Sequence, residues 1–263
     1  MQIEEKVLEI ISEYKKKTEK ECYFINYNDE IPNILDDKIG GKPYLPIGED
    51  YPIDKYGNPM ALFIQINFKN LDLPNYPKGI FEIFITTNED DIFGALELDK
   101  ECYAIRFFEE GLEYQIELPE IDVKDSLYKN PVKIELAKGK THLPYNFGDN
   151  KAVNRLLDLF EDKFDTKINY PMEIENKFNV DYYDLTDKLN DDYVYLSNVG
   201  GYPYFSNDPD LDYDVKEECM LFIGSDLDKG ICFGADAGRF YVLITKEDLL
   251  NKNFENATCN FEF

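Results

Sequence analysis

The sequence predicts an α+β protein dominated by sheet and internally duplicated, with an N-terminal helix and a helical connector between two pseudo-symmetric β halves. Three observations predict it. Short aromatic and β-branched runs bounded by Gly, Pro, Asn or Asp recur along most of the chain. Two other stretches carry apolar residues at helical spacing. The motif Gly-Gly-x-Pro-Tyr occurs at residues 40–44 and again at 200–204.

The first element is an amphipathic helix over 3–20, with Ile3, Val7, Leu8, Ile11 and Tyr14 on one face. Strands follow at 60–68 (MALFIQINF), 79–86 (GIFEIFIT), 102–108 (CYAIRFF) and 131–136 (PVKIEL). A second helix starts at Asn150, read as its N-cap, with Val153, Leu156, Leu157, Phe160 and Phe164 inward, and a third helical stretch covers 181–189. Strands resume at 220–223, 238–245 and 258–263. The segment 111–149 reads as a lid or a connector with a single strand.

Gly40 and Gly200, Leu62-Phe63-Ile64 and Leu221-Phe222-Ile223, and Gly79 and Gly238 all recur at one spacing of about 160 residues. This predicts repeat halves at about 38–110 and 198–263 within a single domain spanning 1–263. Gly40-Gly41 and Gly200-Gly201 reach backbone angles closed to other residues, while Pro43 and Pro203 fix φ and extend the preceding residue. Each motif therefore dictates a corner, and each half is expected to cover the apolar face of the other.

The 54 acids against 28 bases give a formal charge of -26, a field that repels nucleic-acid phosphates and anionic lipid and complements a basic protein. Five cysteines (Cys22, Cys102, Cys219, Cys232 and Cys259) show no Cys-x-x-Cys pair, which fits reduced, mostly buried thiols rather than disulfides or zinc. The N-terminal residues carry acids where a signal peptide needs positive charge, and no apolar run reaches about 18 residues. A soluble cytoplasmic protein is expected, with no membrane or nucleic-acid role.

The ordered series GGKPYLPIGEDYP, GNPMALFIQINF, GIFEIFI, VGGYPYFSNDP, CMLFIGSD, FGADAGRFYVLI and KEDL resembles the YwqG-like family of bacterial domains of unknown function over most of 38–263. The resemblance implies a sheet-rich, duplicated α+β fold and brings no agreed activity, substrate or cofactor. The chain departs from the family pattern at Tyr51-Pro52, where members commonly carry Trp-Pro, and at Gly224, where a second strand glutamine is usual. It also has Phe233-Gly234-Ala235-Asp236-Ala237-Gly238 in place of a tryptophan-led motif. Gln65 keeps the strand glutamine of the first half only.

Catalytic motifs are sparse. His142, the one histidine, lies in KGKTHLPYNFG with no nucleophile elbow nearby, and reads as a surface-loop residue. Lys140-Thr141 lacks the first glycine and the strand of a phosphate loop. Asp208, Asp210, Asp212 and Asp214 alternate, yet an EF-hand starting at Asp208 would need Gly at Tyr213 and Glu at Cys219. No metal site, cofactor or catalytic residue is assigned.

The remaining candidates for ligand binding are Gln65, Asp236, Arg239, Tyr44 and Tyr204, with Gly40, Gly41, Pro43, Gly200, Gly201, Pro203 and Gly238 as structural motif residues. As turn and strand anchors they build corners; as a ligand site they would line a groove between the halves, with the two tyrosines as walls. The leading functional expectation is a non-enzymatic regulatory or immunity-type protein that binds a basic partner. The alternative is a small-molecule-binding protein or hydrolase that uses the groove.

Overall fold

The computed structural model describes residues 3–92, 100–119, 121, 123, 127–146, 149–190, 196–204, 217–233 and 238–262. In chain order the elements are α1 (Ile3–Lys17), β1 (Lys20–Asn28), β2 (Lys38–Ile39), β3 (Ala61–Asn67), β4 (Ile80–Ile85), α2 (Glu89–Ile92), β5 (Tyr103–Phe108) and β6 (Val132–Thr141). They continue with α3 (Asn150–Phe164), α4 (Met172–Phe178), α5 (Tyr182–Asn190), β7 (Asn198–Val199), β8 (Glu217–Gly224), β9 (Arg239–Thr245), α6 (Lys246–Asn251) and β10 (Thr258–Glu262). Short 3-10 turns occur at Phe68–Asn70, Leu227–Lys229 and Phe254–Asn256.

The ten strands form one sheet in the order β10-β9-β8-β7-β1-β6-β2-β3-β4-β5. Every neighbouring pair is antiparallel. At the centre β1 and β6 pair along nine residues, from Lys20 opposite Thr141 to Asn28 opposite Lys133. The sheet curls into a near-barrel, so that β3 and β4 face β9 and β10 across one core. Phe63 of β3 meets Phe240 edge-on with ring centroids 4.7 Å apart and also contacts Phe233 and Phe261. Tyr103 Oη donates to Ala257 O at 3.0 Å, linking β5 to the chain that enters β10. Period-2 alternation explains the curl. Ile64, Ile66, Phe81, Ile83 and Ile85 turn toward the same apolar interior as Leu221, Ile223, Phe240, Val242 and Ile244. Burying each such side chain is worth about 1.5–3 kcal/mol.

A second core holds the helices. Val7, Ile10, Ile11 and Tyr14 of α1 pack with Leu156, Leu157 and Phe160 of α3, and with Ile174 of α4 and Leu185 and Leu189 of α5. On α1, Ile10 is buried while Ile3 and Leu8, expected inside, are 48% and 53% exposed. The α3 N-cap is Asp149 rather than Asn150, its carboxylate accepting from the N–H groups of Lys151 and Ala152. Val153 and Phe164 lie at the margin of this core.

Four expectations need correction. The residues after α1 form β1, a central strand that the sequence reading left unassigned. Within 111–149, β6 is likewise a central sheet strand, ten residues long, and so more than a connector. His142 is buried at the end of β6, with Nε2 2.8 Å from Leu189 O, rather than in a surface loop. The fourth concerns register. Regular pairing is interrupted between Leu62 and Ile64 in β3 and between Cys219 and Leu221 in β8, so the bulged residues are Phe63 and Met220. Gly40 N–H donates to Phe63 O at 3.0 Å and Gly200 N–H to Met220 O at 3.1 Å. Leu62-Phe63-Ile64 thus matches Cys219-Met220-Leu221 in position, and Gln65 matches Phe222 rather than Gly224. The similar tripeptides are offset by two residues.

Candidate functional site

The first corner sits on a closed polar network. Gly40 (φ +71°) and Gly41 (φ +78°) are left-handed, and a Cβ on Gly40 would lie 2.4 Å from the Tyr128 ring, so glycine is required there. After buried Pro43 the Tyr44 N–H is shared by Glu82 Oε1 (2.7 Å) and Gln65 Oε1 (2.9 Å). Gln65 Nε2 donates to Ile34 O (2.7 Å) and Asp36 O (2.9 Å), and Lys38 Nζ donates to Asn33 O and Ile34 O, both at 2.8 Å. Lys38, Gln65, Glu82 and Arg106 stand in one row across β2, β3, β4 and β5. The Tyr44 hydroxyl donates to Leu112 O at 3.0 Å, tying the corner to the loop after β5.

Burial governs the charges of this network. Removal from water pushes Glu82 up to about 8, partly offset by the Tyr44 N–H bond and by the charges of Lys38 and Arg106. The same cause pushes Lys38 down to about 8 and Asp37 up to about 6. Glu82 is fully buried, and its Oε2 has no hydrogen-bond partner among the described residues. None of the three cavities described below is lined by Lys38, Gln65 or Glu82. The arrangement holds the 33–44 segment against the sheet, and Arg106, at the end of the row, lines two of those cavities.

The second corner rests on different residues. Gly200 (φ +82°) has Leu73 Cδ1 where a Cβ would stand, 2.6 Å away. Asn198 Oδ1 accepts from Gly201 N–H at 2.9 Å, and Asn198 Nδ2 donates to Leu196 O and Tyr202 O at 3.2 Å. Beneath buried Pro203, the side chain of Tyr204 packs on Cys219, Phe222, Tyr241 and Leu243. The Arg239 guanidinium lies 5.0 Å from the Tyr204 ring centre and 3.5 Å from Glu262 Oε2, while its buried Nε has no hydrogen-bond partner among the described residues. Gly238 O accepts from the Ser225 N–H and hydroxyl, and a Cβ on Gly238 would overlap Phe233 O at 2.1 Å.

The structure thus joins Gln65 of β3 to Tyr44 and Arg239 of β9 to Tyr204, each pair on the outer face of the sheet. It does not bring the two pairs together. Asp236 lies outside the described residues, as do Asp208 to Asp214. Lys38, Glu82 and Arg106 were missed by sequence reasoning. Glu82 carried a signal, since it is the lone acid in the apolar run GIFEIFI, the same logic that singled out Gln65.

Open space lies elsewhere. Two adjoining cavities, about 660 Å³ and about 550 Å³, share Lys100, Tyr103, Ala104 and Arg106 along β5. A smaller one of about 260 Å³ lies between the halves, bounded by Leu73, Tyr76, Gly200 and Leu249, with the Lys20–Glu218 ion pair (2.5 Å) and Lys246 at its rim. The cysteines are free, and burial pushes the Cys22 thiol up to about 11 and that of Cys219 up to about 12, which leaves neither a ready nucleophile. Among the described residues no group of three His, Cys, Asp or Glu side chains could hold a metal ion, and no helix is long and apolar enough to cross a membrane.

These features define a mixed α+β protein with a curled antiparallel sheet and two glycine–proline corners. The chain belongs to the family described as Domain of unknown function (DUF1963), whose model matches residues 37–262, the YwqG-like family that its motifs resemble. No curated protein matches it in sequence.

Proposed function

We propose that the chain is a non-enzymatic cytoplasmic protein that binds a basic protein partner, in a regulatory or immunity-type role. The observation that carries this reading is the placement of the acids. Among the described residues only Asp54, Glu82 and Glu262 are buried carboxylates, so the charge of -26 is displayed almost entirely on the surface. Such a field accelerates encounter with a cationic surface and disfavours anionic ones. The test is affinity capture of the tagged protein from lysate of its own cells at low and then high salt, with retained proteins identified by mass spectrometry. A specific basic protein released by salt is expected. Empty capture from a lysate shown to contain basic candidates would overturn the reading.

The scaffold for this role is a duplication within one domain spanning residues 1–263. Two four-strand units, β2–β5 and β7–β10, flank the β1–β6 pair in mirrored order, and β1 precedes the first unit while pairing with the second. The shared bulge, the matching Gly40 and Gly200 bonds, and Phe68 N–H to Gly79 O beside Ser225 N–H to Gly238 O support equivalence of the units.

A second reading, binding or hydrolysis of a small molecule between the halves, is favoured by the cavity of about 260 Å³. It predicts that a small-molecule screen by thermal shift yields ligands whose effect is lost in Leu249→Trp, which would fill that cavity.

A further inference from the structure

We infer that β5 takes an extended acidic peptide as an added strand. β5 ends the sheet, and among the described residues β4 is its only strand neighbour. Thr86 N–H donates to Cys102 O at 2.8 Å, which fixes the hydrogen-bonded positions of this ladder. Stepping by two, Ala104, Arg106 and Phe108 bond to β4, and the N–H groups of Ile105 and Phe107 turn away from it. No described backbone group takes them. The carbonyl of Ile105 accepts from the Arg106 guanidinium at 3.3 Å and meets no other donor among the described residues. All six residues of β5 line the cavity of about 550 Å³, whose opposite wall includes Lys252, Phe254 and Glu255. Unpaired strand edges of this kind template a further strand, main-chain bonds giving affinity and side-chain pockets specificity.

Charge selects the occupant. Lys100, Arg106 and Lys252 line this cavity, and among the described residues none is within ion-pair distance of a carboxylate. Lys100 donates to Glu255 O, Arg106 to Ile105 O, and Lys252 lies over the Phe107 ring. In a chain with 54 acids and 28 bases, a cavity lined by three cations, Arg106 on β5, Lys100 before it and Lys252 after α6, against two acids, Glu49 and Glu255, is the local exception. A peptide carboxylate alternating along the added strand would meet Arg106 bidentately. A second copy of the chain is disfavoured, because it would bring two nets of -26 together. The inference stands apart from the basic-partner proposal, since it concerns another surface and the opposite charge.

The probes are two blocked seven-residue peptides, Thr-Val-Glu-Val-Glu-Val-Thr and its lysine counterpart, followed by fluorescence anisotropy and by hydrogen exchange of the whole protein. The expected result is binding of the glutamate peptide at least tenfold tighter than the lysine one, with new protection at the amides of Ile105 and Phe107. Arg106→Glu is expected to cut that affinity at least tenfold. Ile105→Pro, which removes an outward N–H without touching the β4 ladder, is expected to weaken it as well. Equal or tighter binding of the lysine peptide, or no protection of those amides by either peptide, would overturn the inference. So would protection that follows protein concentration and dimer formation in sedimentation.

Discussion

Gly40 and Gly200 make the same bond, each N–H meeting the carbonyl of the bulged residue in the next strand, yet the layers beneath them differ in kind. Under the first corner lie Lys38, Gln65 and Glu82, buried and ionisable or strongly polar; under the second, in the matching positions, lie Asn198, Phe222 and Tyr241. One corner is held by charge-assisted bonds reaching into the 33–36 loop, the other by a single asparagine and an apolar cluster. The backbone path therefore depends on Gly, Pro and the bulge, and the chemistry under it is free to vary.

The sharpest way to break the comparison is to add a methyl at each corner. Gly40→Ala forces Cβ onto the ring of Tyr128, itself anchored by its hydroxyl on Leu62 O, and adds left-handed strain; a loss of about 3–5 kcal/mol in urea unfolding is expected. Gly200→Ala meets chiefly the tip of Leu73, a flexible side chain, with the Tyr76 hydroxyl farther off at 3.3 Å, and should cost about 1–2 kcal/mol. Equal losses would mean that Tyr128 yields as readily as Leu73. Next in size, Asn198→Ala removes three hydrogen bonds and leaves Gly201 N–H buried without its acceptor, for about 2–3 kcal/mol by the same measurement. Lys38→Met should cost about 1 kcal/mol or less, since it deletes two bonds to carbonyls together with the burial of a charge. A loss as large as that of Asn198→Ala would show that the Lys38 bonds outweigh the cost of burying the ammonium.

These differences mark what could be read from sequence. The strands 60–68, 79–86, 102–108 and 238–245 were legible to within a residue or two, because they are apolar on both faces and bounded by turn residues. β1 was not, since in KECYFINYN the apolar run is only Cys22 to Ile25, flanked by Lys20, Glu21, Asn26 and Asn28 directly after a helix. β2 and β7 are two residues long and exist only through long-range pairing that no local pattern encodes. The places of the two bulges have the same origin. A bulge is a property of the ladder, and the repeated Leu-Phe-Ile letters pointed to the wrong register. Of the candidate residues, Gln65 was found because an amide in an apolar strand must have partners, whereas Lys38 precedes a Gly-Gly pair with nothing in its neighbours to signal burial.

A pH-dependent effect tests the central claim most directly, that the first corner is a closed clamp on a buried ionisable layer. Glu82 titrates at about 8 when folded and at ~4.3 when unfolded, so between these values the folded chain holds a proton that the unfolded chain has lost. Its contribution is full below ~4.3 and disappears as pH rises through about 8. Asp37 acts in the same direction between ~3.9 and about 6, whereas Lys38, lowered to about 8, restores stability between there and ~10.4. Glu82→Gln keeps the acceptor for Tyr44 N–H and removes the titration, while the surface acids repel equally in both proteins. The measurement is the unfolding free energy of the two proteins by urea from about pH 5 to about pH 9. The account predicts that the unmodified chain loses stability from about pH 5 to about pH 8 and that Glu82→Gln loses less, ending about 1–2 kcal/mol ahead at the alkaline side. Parallel curves would contradict it, for Glu82 would then be charged and solvated in the folded protein and the first corner open to water.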